Sequence, residues 1–269
     1  MRQRDRPSSA GEETLSVTGP DGLRDHKADV QAEFGRAAAA YAERTEGRFD
    51  ALDVAAFSRV ASSETVLDVG AGTGNFLALF AEHSARRVAL DLTHGMLAEA
   101  GRRDPNLTLV QADGARLPFP SRSVDLVASA QALHHIQQPL PVLMEMRRVS
   151  ASTGRVLIVD QIATESYEQL AFMNELEALR DPSHASSRPA SVMRMLMASA
   201  GLEIVDEQIH EERSRLSKWM WPAEFPPERI ERVQRFIERF GHETGMDFER
   251  AGDDWTFTRR RMMILARRA

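Results

Sequence analysis

From residue 65 onward, short apolar runs alternate with segments whose apolar positions recur at helical spacing. The runs TVLDV, RVALD, LTLVQ, VDLVASA and RVLIVD are rich in Val, Leu and Ile, as strands covered on both faces require. A helical pattern through Met96 and Leu97 follows the second run, and another over residues 142–149 follows the fourth. Beyond RVLIVD come helical stretches over 167–179 and 191–200, the strand LEIVDEQ, and a last strand-like run, DWTFTRRRMMILARR. Parallel neighbours need crossover helices, so the alternation predicts an α/β chain with a doubly wound, mostly parallel, seven-stranded sheet.

Ahead of the first strand, Phe34, Ala38 and Tyr41 fall at i, i+4 and i+7, one face of a helix, and a second helical pattern spans 49–60. Residues 213–240 read as helix interrupted by Pro222, Pro226 and Pro227. The expectation is one domain over 27–269, with lid helices over 27–61 and a helical insertion over 213–250 covering the carboxyl ends of the strands. Residues 1–26, rich in Ser, Gly, Pro and charge, read as a disordered leader.

Composition narrows the chemistry. With 269 residues, 42% of them hydrophobic, the chain can build one sizeable core. It has no cysteine, which removes disulfides, thiolate metal sites and a cysteine nucleophile, and no metal is expected. No run approaches the roughly 18 apolar residues of a membrane span, and the basic start lacks an apolar core, so a cytoplasmic protein is expected. The net charge of −6 opposes nucleic-acid binding, and the clusters Arg86–Arg87, Arg102–Arg103 and Arg259–Arg261 read as solvated helix ends and strand flanks.

Ligands of open α/β sheets sit beyond the carboxyl ends of the strands, and the first strand-to-helix turn holds Gly70, Gly72 and Gly74. Without Cβ atoms, these glycines allow a sharp turn and close approach of a ligand. Asp68, inside the first strand, can order the loop amides and help hold an ammonium group. Asp91 ends the second strand at a spacing suited to ribose hydroxyls. Asp113 follows the third strand and can accept from an adenine amine, with the Gly114 amide beside it for a ring nitrogen. A dinucleotide would call for GxGxxG; the GxGxG seen here, with three carboxylates, suits an amino acid, a ribose and an adenine without a pyrophosphate.

VLDVGAGTGN, VALDLTHGMLAEA and QADGARLPFPSRSVDLVASAQALHHI resemble the successive motifs of class I S-adenosylmethionine-dependent methyltransferases, within them the ubiquinone and menaquinone C-methyltransferase-like small-molecule group. The likeness is close over residues 30–160 and loose elsewhere. It implies S-adenosyl-L-methionine as cofactor, with Gly70, Ala71 and Gly72 at the methionine portion, Asp91 at the ribose, and Asp113 with Gly114 at the adenine. Leu92 and Met96 would flank the adenine ring, Ala130 and Gln131 would lie near the sulfonium, and Tyr41 would cover the methionine end. One departure is VSASTG where relatives have a Pro-Gly-Gly turn.

His134 and His135 follow the fourth strand and are candidate bases, because histidine exchanges protons near neutral pH. O-methyltransferases resembling this group pair such a histidine with an acidic residue after strand five, here Asp160. In ALRDPSHASS, Asp181 and His184 read as a turn that starts the next helix, although they could reach the pocket. Trp219, Met220 and Trp221 suit an apolar acceptor pocket or core packing equally. The expected reaction is methyl transfer to O, C or N of a small-molecule acceptor; the alternative is a cofactor-binding protein with a non-methylating reaction or a pure binding role. An amino-group methylase of nucleic-acid bases would carry Asn or Asp, Pro, Pro, aromatic after strand four, where this chain has Ala130, Gln131, Ala132 and Leu133, and a C5 methylase would need a cysteine. Monomer and homodimer both remain open.

Overall fold

Val66, Leu67, Val69 and their counterparts in the neighbouring strands are buried, and the structure, a computed structural model, shows why: the strands are sandwiched between two helical layers. It describes residues 26–45, 47–220 and 225–269. The leader expected over 1–26, except His26, and the expected pocket residue Trp221 lie outside the described residues.

In chain order the elements are α1 (His26–Arg44), α2 (Val54–Ser58), β1 (Thr65–Val69), α3 (Asn75–Ala78), β2 (Arg86–Asp91), α4 (His94–Arg103), β3 (Thr108–Gln111) and β4 (Val124–Ala130). There follow a 3₁₀ turn over Leu133–His135, α5 (Pro139–Val149), β5 (Ser150–Ala163), α6 (Tyr167–Arg180), β6 (Arg188–Pro189) and α7 (Ala190–Ser199). The chain closes with β7 (Leu202–Arg215), α8 (Leu216–Trp219), α9 (Pro227–Phe240), a 3₁₀ turn over Gly241–Glu243, β8 (Glu249–Ala251) and β9 (Asp254–Arg268).

The sheet runs β3-β2-β1-β4-β5-β9-β7, with two short additions beyond the expected seven strands: β6 beside β5 and β8 beside β9. β1 to β5 are mutually parallel, and β9 is antiparallel to both β5 and β7. Strand order reverses between β1 and β4, so a crevice opens at their carboxyl ends, where the glycine loop sits. Alternate residues of β1 serve opposite layers. Leu67 and Val69 pack with Val142 and Met146 of α5 and Met193 of α7; Val66 packs with Phe57 of α2, Phe76 of α3 and Leu97 of α4. A third cluster joins α6, α8 and α9 through Leu176, Trp219, Phe236 and Phe257. Trp219 is buried there, yet it also borders a cavity described below.

Three expectations change. The pattern from residue 213 does not start a helix: β7 runs on through Arg215, in register with β9 from Ile209↔Met262 to Arg215↔Thr256. The alternating charges of this stretch explain it, because Glu211 pairs with Arg260 at 2.8 Å and Glu212 with Arg261 at 2.6 Å across the two strands. The helical part of the 213–250 insertion is therefore α8 and α9. The pattern over 49–60 yields only α2, preceded by a turn and capped by Asp53, whose Oδ1 accepts from the Ala56 amide at 3.3 Å. Finally, Arg259 and Arg261 are not solvated flanks: Arg261 is buried, and both line a cavity.

Candidate functional site

Beyond the carboxyl ends of β1, β2 and β4 lies a cavity of about 590 Å³. Its floor is the glycine loop. Gly70 has φ +81°, and a Cβ there would stand 2.6 Å from the Ala132 Cβ, so no other residue fits without displacement. The Gly70 and Ala71 amides donate to the Leu90 carbonyl at 2.8 and 3.0 Å, which ties the loop to the end of β2. The Gly72 amide donates to Asp91 Oδ2 at 2.8 Å, and Asp91 Oδ1 accepts from Thr93 N–H at 2.8 Å. Burial raises the Asp91 pKa, opposed by these backbone hydrogen bonds.

Asp68 is buried beneath this loop, and neither of its carboxylate oxygens has a hydrogen-bond partner among the described residues. Burial, and secondarily the charge of Asp91, pushes its pKa well up. The expectation that Asp68 orders the loop amides is corrected: Leu90 and Asp91 accept them instead, because those acceptors end the strand that flanks the loop. Asp68 itself is not part of the cavity wall.

The wall beyond the loop comprises Asp91, Leu92, Met96, Asp113, Gly114, Ala130 and Gln131. Asp113 Oδ1 accepts from the Ala115 amide at 2.9 Å and Oδ2 from Lys27 Nζ at 2.5 Å. Partial burial opposes the net lowering of its pKa, which comes from the Lys27 and Ala115 hydrogen bonds and from the charges of Lys27 and Arg116. Lys27 belongs to α1, which crosses the cavity mouth. Gln31 donates to the Leu92 carbonyl at 3.0 Å, and His26 Nε2 lies 2.9 Å from the His135 carbonyl. A Cβ on Gly95 of α4 would approach the Gly35 carbonyl of α1 to 3.4 Å, so the two helices meet at glycines. These fastening residues carry no motif, and sequence reasoning missed them.

A second cavity, about 320 Å³, adjoins the first, and Phe34, Tyr41, Thr45, Arg48, Gln131 and His135 line both. Gln131, just past β4, has φ +52°, an uncommon conformation for a residue other than glycine. Its amide donates to the Val159 carbonyl at 2.8 Å, while its Nε2 is buried without a partner among the described residues. Tyr41 accepts from Arg48 Nη1 at its hydroxyl, 2.7 Å away, and packs edge-on against Phe34 at 5.7 Å.

The two histidines have different surroundings. His134 is buried and its Nδ1 lies 2.6 Å from Asp160 Oδ1. Asp160 also accepts from the backbone amides of Leu133 and His134 through Oδ2, and of Gln161 through Oδ1, at 2.7 to 3.3 Å. Burial lifts Asp160 to about 6 and holds His134 well below its usual value, so at neutral pH the imidazole is neutral and the carboxylate ionised. This pair anchors the end of β4 to β5. His134 borders only the second cavity, whereas His135 borders both. His135 Nδ1 lies 3.0 Å from the Ser183 carbonyl and 3.1 Å from Ser183 Oγ, which in turn donates to Asp181 Oδ1 at 2.5 Å. A carbonyl only accepts, so Nδ1 carries the hydrogen and Nε2 is left with the lone pair. Burial acts against ionisation of Asp181, but the charges of His135 and Arg180 and the Ser183 hydrogen bonds outweigh it, and the carboxyl is held far below the ordinary range.

The RDPSH turn therefore abuts the histidine that faces both cavities, with Ser183 as the contact residue that sequence reasoning missed. His184 points elsewhere, its Nε2 2.8 Å from Asn174 Oδ1. Arg48, Arg259 and Arg261 were also missed as cavity residues. The alternation of β9 carried a signal, since 259 and 261 share one strand face and 260 takes the other.

Residues 67–158 match the family model described as a methyltransferase domain. The chain is 30% identical over 165 residues to an uncharacterized methyltransferase, YcgJ, of Bacillus subtilis (strain 168), covering 60% of this chain and 62% of that protein. It is 38% identical over 97 residues to a demethylmenaquinone methyltransferase of Beutenbergia cavernae, covering 36% of this chain and 40% of that one. The chain thus spans less than two thirds of the length of these curated relatives. The solved YcgJ structure has a TM-score of 0.74 at 23% identity, covering 80% of this chain and 97% of that chain. A geranyl diphosphate methyltransferase solved in complex with S-adenosylmethionine has a TM-score of 0.55 at 13% identity, covering 80% of this chain and 84% of that chain.

Proposed function

We propose that this chain, whose residues 67–158 match a methyltransferase-domain model and whose fold is that of class I methyltransferases, binds S-adenosylmethionine in the glycine-loop cavity and methylates a small molecule seated in the second. The observation that carries this reading is the shared wall: two cavities meet at Gln131, Tyr41 and His135, so a donor in one and an acceptor in the other would face each other.

The residues present fit the donor. The glycine loop brings bare backbone to the cavity, since a Cβ at Gly70 would meet Ala132, and behind it Asp68 is a buried carboxyl without a partner among the described residues, which a cationic group in the cavity, such as an amino acid's ammonium, would help to ionise. Asp91 would accept from the ribose hydroxyls, and Asp113 with the Gly114 amide would meet the adenine edge. Leu92 and Met96 would hold its faces. When bound, the cofactor supplies an electrophilic methyl group that needs no further activation by the protein.

The chain's own part is alignment, exclusion of water and removal of a proton. α1 covers the first cavity through the Lys27, Gln31 and His26 contacts, and Phe34 and Tyr41, which line both cavities, would shield from water the junction where the two ligands meet. Held orientation can contribute several kcal/mol, about 7 to 11 in well-aligned model reactions. His135, with its lone pair on Nε2, takes the acceptor's proton. The imidazolium so formed keeps its Nδ1–H on Ser183 and gains the nearby anion of Asp181. His134 and Asp160 position the strand end and the 3₁₀ turn that carries His135.

The test is incubation with methyl-labelled S-adenosylmethionine and a fractionated metabolite extract. Label in a small-molecule product supports the reading. Tight binding of the cofactor with no label in any product overturns it in favour of a non-methylating or purely binding role.

A further inference from the structure

The second cavity is cationic in a way the neighbouring ion pairs do not cancel. Arg180 is matched by Glu177 at 3.1 Å and by Asp181 at 3.8 Å, and Arg213 by Glu249 at 2.9 Å. Arg48, Arg259 and Arg261 are different. Between them they have one carboxylate, Glu212, 2.6 Å from Arg261 and 3.5 Å from Arg259. Arg48 spends its Nη1 on the Tyr41 hydroxyl, and Arg261 donates from its Nη1 to the Arg48 carbonyl at 3.0 Å.

Several donors in this group are idle. Arg261 Nε is buried and has no partner among the described residues. Among the same residues the Arg259 side chain makes its one ion pair, with Glu212, and no side-chain hydrogen bond. Burial, reinforced by the charges of Arg48 and Arg261, pushes Arg259 down to about 9, so it stays charged at neutral pH at an energetic cost. Two neighbouring cations, Arg261 buried and Arg259 largely covered, that share the single carboxylate Glu212 are expensive to maintain for structure alone. Guanidinium groups converging on one space match the forked oxygens of a carboxylate or phosphate.

We propose that Arg48, Arg259 and Arg261 form an oxyanion subsite in the second cavity, and that the methyl acceptor carries a carboxylate or phosphate group that docks there. The inference rests on the reading of this cavity as the acceptor site. Tyr41, Gln131 and His135 then flank the part of the acceptor that approaches the glycine-loop cavity. The anion supplies binding energy away from the reacting atom, which fixes the orientation of the remainder.

The experiment is calorimetric titration of the full chain, with and without saturating S-adenosylhomocysteine, using inorganic phosphate and succinate at constant ionic strength in chloride. Saturable binding of one of them is expected, and which one binds separates phosphate from carboxylate recognition. Arg259→Gln should weaken that binding about 10- to 100-fold, the usual effect of losing a charge-assisted hydrogen bond. Arg194→Gln, on the outer face of α7 where Arg194 pairs with Glu207, should leave it unchanged. Retained S-adenosylhomocysteine affinity shows that Arg259→Gln is folded, and Arg259→Lys, which keeps the charge but not the fork, should fall between. The subsite is overturned if neither anion binds, or if Arg259→Gln and Arg194→Gln bind equally well. Failure of S-adenosylhomocysteine to bind overturns the cofactor reading instead, while anion binding without it still decides the subsite.

Discussion

At the residue scale, the two adjacent histidines give the sharpest division of labour. His135→Ala should lower turnover by about 10² or more, the usual contribution of a general base, while the affinity for S-adenosylhomocysteine changes little; turnover equal to wild type rules His135 out as the base. His134→Ala removes the donor that Asp160 holds at 2.6 Å and leaves a buried carboxylate under-satisfied. Its signature should be a stability loss of about 1 to 3 kcal/mol, as for a buried acceptor that loses its donor, read by urea denaturation. Asp68 gives a pH-dependent test. Its folded pKa is raised, by burial first and the charge of Asp91 second. The stability it contributes is therefore complete below the unfolded value, about 3.9, and is lost as pH rises through the folded value. Asp68→Asn cannot ionise, so its stability relative to wild type should increase as pH rises from the unfolded value, about 3.9, towards neutrality in the absence of ligand. A constant difference across that range would show that Asp68 does not titrate abnormally. The same variant should bind S-adenosylhomocysteine more weakly, since a neutral amide replaces the carboxylate beneath the loop.

At the element scale, what positions the site is where strands end and where helices can come close. The β1–loop–α3 unit was legible because its signal is local, an apolar run that stops at three glycines; the Ala132 side chain that a Cβ at Gly70 would meet comes from 62 positions away and was not. The whole of β9, and α4 to α7 within a few residues, were legible for the same reason, since length and periodicity sufficed. The continuation of β7 to Arg215 was not, because HEERSR has no apolar alternation and becomes a strand only through its acid–base pairs with β9. The lid contacts were equally hidden. Nothing in HKADVQAEFG marks Lys27 or Gln31 as fasteners until β3 and β2 bring Asp113 and Leu92 under them. Likewise, the Asp181–Ser183–His135 chain joins residues 48 positions apart. The close crossing of α1 and α4 makes a prediction at this scale. Gly95→Leu places a branched side chain where a Cβ already meets the Gly35 carbonyl at 3.4 Å, so α1 must lift. Dissociation of S-adenosylhomocysteine should become faster, by about tenfold or more if roughly 1.4 kcal/mol of closure is lost. An unchanged dissociation rate would mean that α1 does not hold the ligand in.

At the scale of the whole molecule, stability and function are carried by different parts. The two clusters that sandwich the sheet bury Leu, Val, Ile, Met and Phe side chains from strands and helices on both sides. Among the described residues the buried apolar positions of α1, by contrast, are Ala38 and Ala42, which bury little area and so contribute little, at roughly 25 cal/mol per Å². What holds α1 is polar: Lys27 to Asp113, Gln31 to the Leu92 carbonyl, and His26 to the His135 carbonyl. Asp113, Leu92 and His135 also line the glycine-loop cavity, so the same residues that would touch a ligand are those that hold the cover. Segments with few buried apolar contacts open at free energies well below global unfolding. Amides of α1 should therefore exchange with solvent through local opening, while those of β4 and β5 exchange only through the global event. A ligand enclosed beneath α1 binds the closed state alone and should stabilise it by about 2.7 kcal/mol at a free concentration 100 times its Kd. In native-state hydrogen exchange with S-adenosylhomocysteine, protection should rise in α1 and in the Gln131–His135 turn. Ligand binding that leaves α1 exchange unaltered would mean that the cover is not coupled to the cavity, and that His135 and Gln131 must be held in place by the β4–β5 anchor of His134 and Asp160 alone.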